Sequence, residues 1–371
     1  MIRLNVKYND KFVDITFPCG DQKLHDLLGE TSVPLKRGFI TRVYAPAELS
    51  LLEGSTHELD EINFLAKRMD SFDEKEYDRF CAGVQNGPYD NLQDFINLTY
   101  SLERYTLIKD IGSMEAIGKT HYLCVNGCVG DKEAPNYAEI GRALLHSGKG
   151  IYTEHGLLFV NENMAFNEEY DGQVFPQYYH RADILFGVEI HHDCKSEYVY
   201  LPDDDIAISK ALCRLGAASP DECTFEMDDC MVDDEDWVKR LKNMLEEESI
   251  FDINAVAAAI NSADIDLDKL EALIDYVGDS SPQMIAKLAR NIDEFTYIKD
   301  AETYEDVGKK IIEEDDEFHL QLELEDFFDY DAFGAYIANE FNGDFTENGF
   351  VYIPTGISLQ NVLKQGESIT F

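Results

Sequence analysis

Three short stretches of the sequence contain side chains of the kinds that bind metal ions. The first, Asp264 to Leu270, opens with the D-x-D-x-D spacing of an EF-hand calcium loop, but Lys269 stands where that loop needs glycine for its sharp turn. The histidines and cysteines at 121–128 and 191–194 lack the paired spacing and the fourth ligand of a zinc site. We therefore expect no metal site, no cofactor, and a solvent-exposed first helical turn at Asp264 to Leu270.

The sequence also lacks the motifs that position catalytic groups. It contains no nucleophile elbow, no phosphate-binding loop and no dinucleotide fingerprint. It has 74 aspartate and glutamate residues, so a close carboxylate pair would arise by accident and does not indicate a glycosidase. We therefore expect no catalytic residues and a protein that is not an enzyme.

The strongest chemical signal is negative charge, and it is concentrated in one part of the chain. The net charge of the 371 residues is −43; residues 1–160 hold 24 acidic and 17 basic residues, whereas residues 161–371 hold 50 and 14. Ten carboxylates and no lysine or arginine lie between Glu313 and Asp331. The same segment is rich in phenylalanine and tyrosine, unlike a disordered acidic tail. We expect it to be folded, with its charge displayed outward.

The chain repeats itself. Seven of eighteen positions are identical between Leu102–Lys119 and Ile292–Lys309 at a constant offset of 190 residues. The similarity continues between 136–159 and 329–352, and upstream VDITFP and EINFLAKRM have counterparts in EYVYLP and DINAVAAAI. Self-similarity of this length indicates two copies of one domain-sized unit. We predict a first copy at 1–165, a connecting segment at 166–183 and a second copy at 184–371.

Hydrophobic periodicity predicts an α+β fold in which each elongated copy has several modules. Residues 2–17 alternate around Asn9-Asp10 as in a hairpin, whereas 57–123 follow a helical period. A helix after Asp234 has an apolar stripe that begins at Trp237, and Ser281-Pro282 starts another helix. Each copy is therefore predicted to contain a small antiparallel β module, a central helical bundle and a C-terminal α/β module.

Cysteine placement and the N-terminus predict the compartment. None of the eight cysteines falls opposite another when the copies are superposed, although a disulfide or metal framework would have been duplicated with them. The N-terminus has no apolar run of signal-peptide length, and no stretch approaches 18 consecutive apolar residues. We expect free thiols in a soluble, cytoplasmic protein without a membrane partner.

The charge of the second half matches that of DNA. Duplex DNA presents about one negative charge per 1.7 Å, so a net charge of −36 displayed along one face would match roughly 60 Å, or about 18 base pairs. Such a surface would not bind nucleic acid directly but would compete with DNA for a basic groove. The carboxylates expected to form it are Asp233, Asp234, Asp236, Glu247, Glu313, Asp315, Asp316, Glu323, Asp326, Asp329 and Asp331.

The C-terminal motifs closely resemble a known family. The stretches DEFTYIKDAETYEDVG, FFDYDAFG and FTENGFV are similar to the C-terminal part of the ArdA antirestriction proteins, and HELDEINFLAKRMDSFDEKEYDRFCAGV resembles their helical middle part. The resemblance implies a non-enzymatic DNA mimic that binds the DNA-binding subunits of type I restriction-modification enzymes and is encoded on mobile genetic elements. It also implies an elongated unit that dimerises through its C-terminal module.

Two features depart from the family pattern. This chain contains two copies, which would pair within one chain or between chains, and the first copy has HYLCVNGCVG where the second has the acidic run Glu313 to Glu317. The alternatives are a mimic directed at another defence complex, such as a CRISPR effector, or at a nucleoid protein, and an interaction scaffold whose acidity serves only solubility. Salt dependence distinguishes mimicry from aromatic docking.

Overall fold

The computed structural model describes residues 1–33, 35, 37–127, 135–178, 184–261, 265–314, 327–354 and 357–365. They form helices and small antiparallel sheets, so the predicted α+β class is confirmed. Contacts group the described residues of Met1–Arg181, Ile190–Val199 and Asp204–Cys223 into unit 1, and those of Ala182–Glu189, Tyr200–Asp203 and Thr224–Phe371 into unit 2. No helix in the described ranges combines the length and the apolar character that crossing a membrane requires.

Unit 1 begins with the predicted hairpin. Asn9 and Asp10 have positive φ values of 45° and 61°, as the turn between two twisted strands requires, and the strands pair antiparallel over their full length. Alternate side chains of the first strand enter the core. The elements are β1 (Ile2–Tyr8), β2 (Lys11–Phe17), α1 (Asp21–Leu28), β3 (Gly38–Ala45), a 3-10 segment (Ala47–Leu52) and β4 (Thr56–His57), in the sheet order β2-β1-β3-β4.

A helical bundle and a small α/β module complete the first half of the sequence. Asp73 and Asn91 cap two of the helices through their side chains. The helical period of 57–123 is interrupted by a strand at Tyr105–Ile108, which we predicted as part of a helical region. The elements are α2 (Leu59–Asp70), α3 (Glu74–Asn86), α4 (Leu92–Thr99), β5 (Tyr105–Ile108), α5 (Met114–Asn126), α6 (Tyr137–His146), β6 (Ile151–Thr153) and β7 (Gly156–Val160), with the sheet order β5-β7-β6.

The described part of the predicted connecting segment, 166–178, packs into unit 1. Tyr170 is buried, and its backbone N–H and carbonyl exchange hydrogen bonds with the side chain of Asn97 at 2.7 and 2.9 Å. The ring of Phe175 stacks on that of Phe64 with a centroid distance of 4.4 Å. Because an amide and two aromatic rings fix this segment, it is part of a core rather than a free linker.

Unit 1 also contains a helix from the second half of the sequence. Helix α7 (Asp205–Leu215) packs on α1. The buried ammonium of Lys210 donates to carboxylate oxygens of Asp21 at 2.5 Å and Asp60 at 2.6 Å. The buried carboxylate of Glu197 is paired with the guanidinium of Arg214. A buried charge is stable only when it is paired in this way.

Unit 2 is built around helices and a second small sheet. The predicted helix after Asp234 is present, and its stripe of Trp237, Leu241, Met244 and Leu245 is buried. The elements of the second half are β8 (Phe186–His192), β9 (Lys195–Leu201), β10 (Thr224–Cys230), α8 (Glu235–Glu247), α9 (Ile250–Asn261), α10 (Leu267–Val277), α11 (Pro282–Arg290), β11 (Thr296–Lys299), α12 (Tyr304–Glu314), α13 (Tyr330–Glu340), β12 (Asp344–Thr346), β13 (Gly349–Tyr352) and α14 (Leu359–Gln365). The sheet orders are β10-β8-β9 and β11-β13-β12.

Two helix pairs cross with their backbones in contact. In the α5–α6 pair, a Cβ atom on Gly118 would lie 1.9 Å from the carbonyl oxygen of Tyr137. In the α12–α13 pair, a Cβ atom on Gly308 would lie 2.1 Å from the carbonyl oxygen of Tyr330. Only glycine permits this approach at both crossings. The opposite helix of each pair contributes an equally close glycine, Gly141 and Gly334.

Candidate protein-interaction surface

Four of the predicted carboxylates lie at the two ends of α8. Asp233, Asp236 and Glu247 are exposed, because the buried apolar stripe of α8 turns the polar side of the helix outward. Asp234 is half-buried and caps the helix, since its carboxylate accepts hydrogen bonds from the backbone N–H groups of Asp236 and Trp237, both at 2.9 Å. Three of these side chains are therefore available to a partner, and Asp234 has a structural role as well.

Three further predicted carboxylates belong to the α12–α13 pair. Glu313 is exposed in the last turn of α12, and Asp331 is exposed in the first turn of α13. Asp329 is exposed but also caps α13 by accepting from the backbone N–H of Ala332 at 3.0 Å. The remaining four predicted residues lie outside the described residues: Asp315, Asp316, Glu323 and Asp326.

Two described groups of carboxylates thus belong to unit 2, one on α8 and one on the α12–α13 pair. Within 1–33, 35, 37–127, 135–178, 184–261, 265–314, 327–354 and 357–365, none of the seven makes an ion pair with lysine, arginine or histidine. An exposed carboxylate without a cationic partner keeps its full charge toward solvent. These residues are therefore suited to meet a cationic surface on another molecule.

Nearby cations are occupied by other carboxylates. Lys309 pairs with Glu305 one helical turn away at 2.6 Å and lies 5.9 Å from the ring centre of Tyr330. The ammonium of Lys299 pairs with Asp268. Exposed pairs of this kind contribute at most about 1 kcal/mol each. Their effect is to keep the lysines away from the seven carboxylates.

Asp236 and Glu247 line one shallow groove of about 410 Å³ between α8, α10 and the start of α11. The guanidinium of Arg240 lies in this groove, paired with Glu271 and 5.4 Å from the ring centre of Trp237. Burial raises the pKa of Glu271, although Arg240 opposes the rise. The groove is therefore mixed in charge, and its negative potential comes from its two ends.

The structure adds exposed carboxylates that our prediction omitted. On the edge strand β10, Glu226 and Asp228 are exposed and alternate with the half-buried Phe225 and Met227. The period of two in TFEMDD is the sequence signal that would have found them. Further exposed carboxylates of unit 2 are Asp275, Asp279, Asp293, Asp300, Glu302, Asp344 and Glu347.

The sequence-based metal candidates do not come together in the described residues. Cys128 lies outside them, while Cys124 is exposed and the His121 ring makes an edge contact with Phe159 at a centroid distance of 5.5 Å. Nδ1 of His192 lies 3.2 Å from the carbonyl oxygen of Leu215. Within the described ranges, the one group of at least three ligand-type residues is a different one: Glu48, Cys81 and His155.

No protein-family model and no curated protein matches the chain. The function proposed below therefore rests on the charge, exposure and fold of this chain.

Proposed function

We propose that this protein is a DNA mimic that occupies the DNA-binding groove of type I restriction-modification enzymes and blocks them competitively. The observation that carries the proposal is the display of unpaired carboxylates on the folded helices of unit 2. The protein would act in the cytoplasm without catalytic residues and without a cofactor. A fixed array of carboxylates would meet the same basic side chains that contact phosphates.

Tandem duplication explains how one half became the acidic half. The peptide bonds Phe17–Pro18 and Leu201–Pro202 are both cis and lie 184 residues apart. Each follows the second strand of a hairpin and precedes a helix that ends at a left-handed glycine, Gly29 or Gly216. The same local order at one offset supports two copies of one module.

The C-terminal modules support the duplication independently. Both have a three-stranded sheet, a glycine-crossed helix pair and a tight turn at a positive-φ glycine, Gly156 or Gly349. In both, a lysine on the first strand pairs with a carboxylate on a preceding helix: Lys109 with Asp78, and Lys299 with Asp268. The packing of α1 on α7 favours pairing of the copies within one chain.

The proposal predicts that position matters more than total charge. Replacing Asp233, Asp236, Glu247 and Glu313 by lysine changes four exposed side chains that have no capping role. Reversing one exposed pair changes binding by about 0.5–1 kcal/mol, so four reversals should weaken inhibition by roughly 30- to 1000-fold. The measurement is inhibition of DNA cleavage by a type I enzyme, with the circular dichroism of each variant recorded beside it.

The matched control reverses four exposed carboxylates of unit 1, namely Asp70, Glu103, Glu139 and Glu154. Both variants raise the net charge of −43 by the same eight units. Inhibition should survive in the control variant. Equal loss in both variants would indicate bulk charge, and full inhibition by both would refute mimicry by these carboxylates.

Exposed aromatic side chains favour a second candidate, an interaction scaffold. Phe327 is 84% exposed and Tyr336 56% exposed, close in sequence to Asp329 and Asp331. Aromatic docking depends little on ionic strength, whereas phosphate-like binding is lost steeply as salt rises. A mimic aimed at another DNA-binding complex, such as a CRISPR effector or a nucleoid protein, would share the salt dependence but not the target.

A further inference from the structure

His155 stands between two carboxylates that come from distant parts of unit 1. Its Nε2 lies 3.0 Å from Oε1 of Glu48, in the 3-10 segment Ala47–Leu52, and its Nδ1 lies 3.1 Å from Oδ1 of Asp78, in α3. His155 itself occupies the turn between β6 and β7. One imidazole thus joins the N-terminal β module, the helical bundle and the α/β module.

A cysteine completes the cluster. Sγ of Cys81, Nε2 or Nδ1 of His155 and a carboxylate oxygen of Glu48 all lie within 4.8 Å of one another. Cys81 is fully buried, and the side chains of His155 and Glu48 are only 18% and 10% exposed. Thiolate, imidazole and carboxylate ligands lie about 2.0–2.3 Å from Zn²⁺, so ligand atoms around one ion are separated by roughly 3–4 Å. The observed spacing needs only a small contraction.

We propose that Cys81, His155 and Glu48 bind one divalent transition-metal ion of the zinc class, with a fourth position left for a water molecule. The soft thiolate favours zinc over magnesium or calcium, which prefer oxygen ligands throughout. The ion would join three modules of unit 1, which gives it a structural role separate from the acidic surface of unit 2.

Asp78 would be a positioning residue. A histidine that binds a metal through one nitrogen usually donates its other N–H to a carboxylate, which fixes the ring orientation. Asp78 lies on Nδ1, so Nε2 is the nitrogen that faces Glu48 and the ion. Lys109 pairs with the other oxygen of Asp78 and offsets its charge. The second layer of the site is therefore already in place.

Binding needs a balanced exchange of protons. The thiol of Cys81 must lose its proton as its sulfur–metal bond forms, and His155 must release the proton on Nε2. Both protons go to solvent, and no oxidant or reductant is involved. Without a metal, the same cluster is a hydrogen-bonded cross-link in which a doubly protonated imidazole donates to both carboxylates.

The second half of the chain provides a natural variant of this site. The turn that corresponds to Thr153–Gly156 is Thr346–Gly349, with Asn348 at the position of His155. Both turns share the threonine hydroxyl bond to the glycine carbonyl, at 2.8 and 3.0 Å. Asparagine therefore fits this turn, and His155→Asn should remove a ligand without unfolding the hairpin.

The test is a titration of the full-length protein with Co²⁺, followed by the thiolate-to-cobalt charge-transfer absorption. Excess Mg²⁺ saturates the exposed carboxylates, so that the absorption reports only a cysteine-containing site. We expect one equivalent of Co²⁺ to produce the band and Zn²⁺ to abolish it. Cys124→Ser, at an exposed cysteine, should retain the band, whereas Cys81→Ser and His155→Asn should lose it.

Affinity and stability provide a second readout. Asp78→Asn should keep the band but weaken Co²⁺ binding by about 10- to 100-fold, as expected for an outer-layer partner. Zn²⁺ should raise the melting temperature of the wild type and of Cys124→Ser, but not that of His155→Asn. No band in the wild type, or a band that persists in both Cys81→Ser and His155→Asn, would overturn the metal site and leave the hydrogen-bonded cross-link.

Discussion

Replacing a crossing glycine of unit 2 by alanine perturbs the frame that holds the carboxylates of α12 and α13. A Cβ atom at Gly308 would lie 2.1 Å from the carbonyl oxygen of Tyr330, and one at Gly334 would lie 1.9 Å from that of Tyr304. An ordinary carbon–oxygen contact is about 3.3 Å. Because the obstacle is backbone rather than a rotatable side chain, the helices would have to separate by roughly 1 Å.

The expected cost follows from two opposing effects. Alanine favours the helical backbone over glycine by about 1 kcal/mol. Overpacking costs about 1–3 kcal/mol, and a backbone obstacle belongs at the upper end. Separation also weakens dispersion contacts of Val307 and Ile337 in the core beneath the helices. Each substitution should therefore lower the free energy of opening of α12 and α13 by about 2 kcal/mol.

Native-state hydrogen exchange, read by mass spectrometry, measures this local free energy directly. The double variant Gly308→Ala with Gly334→Ala should lose less than the sum, because helices that are already apart accommodate the second methyl group. The control is Gly83→Ala in α3, where a Cβ would meet only side-chain atoms, the nearest 3.2 Å away in Tyr105. Increased protection of α12 and α13 in Gly308→Ala would refute the close crossing.

Three further predictions concern the buried charges and one helix cap. Lys210→Met leaves two buried carboxylates without this partner and should destabilise unit 1 by about 3–5 kcal/mol in urea unfolding, against less than about 1 kcal/mol for the exposed Lys149→Met. Burial tends to raise the pKa of Asp21, but Lys67 and Lys210 hold it below its ordinary value. Its contribution is therefore present above about pH 4 and lost as the pH falls through the lowered pKa, so acid titration of stability should be shallower in Asp21→Asn. Asp234→Ala should destabilise α8 by about 1 kcal/mol, seen in the fluorescence of the protein's single tryptophan, and unchanged stability would argue against the cap.

Local sequence patterns predicted much of the fold. The hairpin at Asn9-Asp10 and the buried stripe of α8 depend on neighbours in the chain, and both are confirmed. The strand at Tyr105–Ile108 was missed because four apolar residues beside helices do not distinguish strand from helix; its pairing with β7 decides the matter. The docking of 166–178 was also missed, because Tyr170 reaches Asn97 across 73 residues.

The candidate surface was predictable in charge but not in detail. Exposure of Asp233, Asp236 and Glu247 follows from helical periodicity. The capping roles of Asp234 and Asp329 depend on where each helix begins, which a sequence locates only to within a few residues. The cluster around His155 was invisible, because its members are separated by tens of residues and meet only after three modules pack.

The most direct test of mimicry is a competition titration. The protein would displace a labelled duplex from a purified type I methyltransferase core at about 50 mM and about 200 mM salt. Binding that replaces about six or more phosphate contacts should weaken on the order of 10³-fold or more between these conditions. We predict displacement with this steep salt dependence. No displacement at either salt concentration, or displacement that salt does not change, would contradict a DNA mimic of this target.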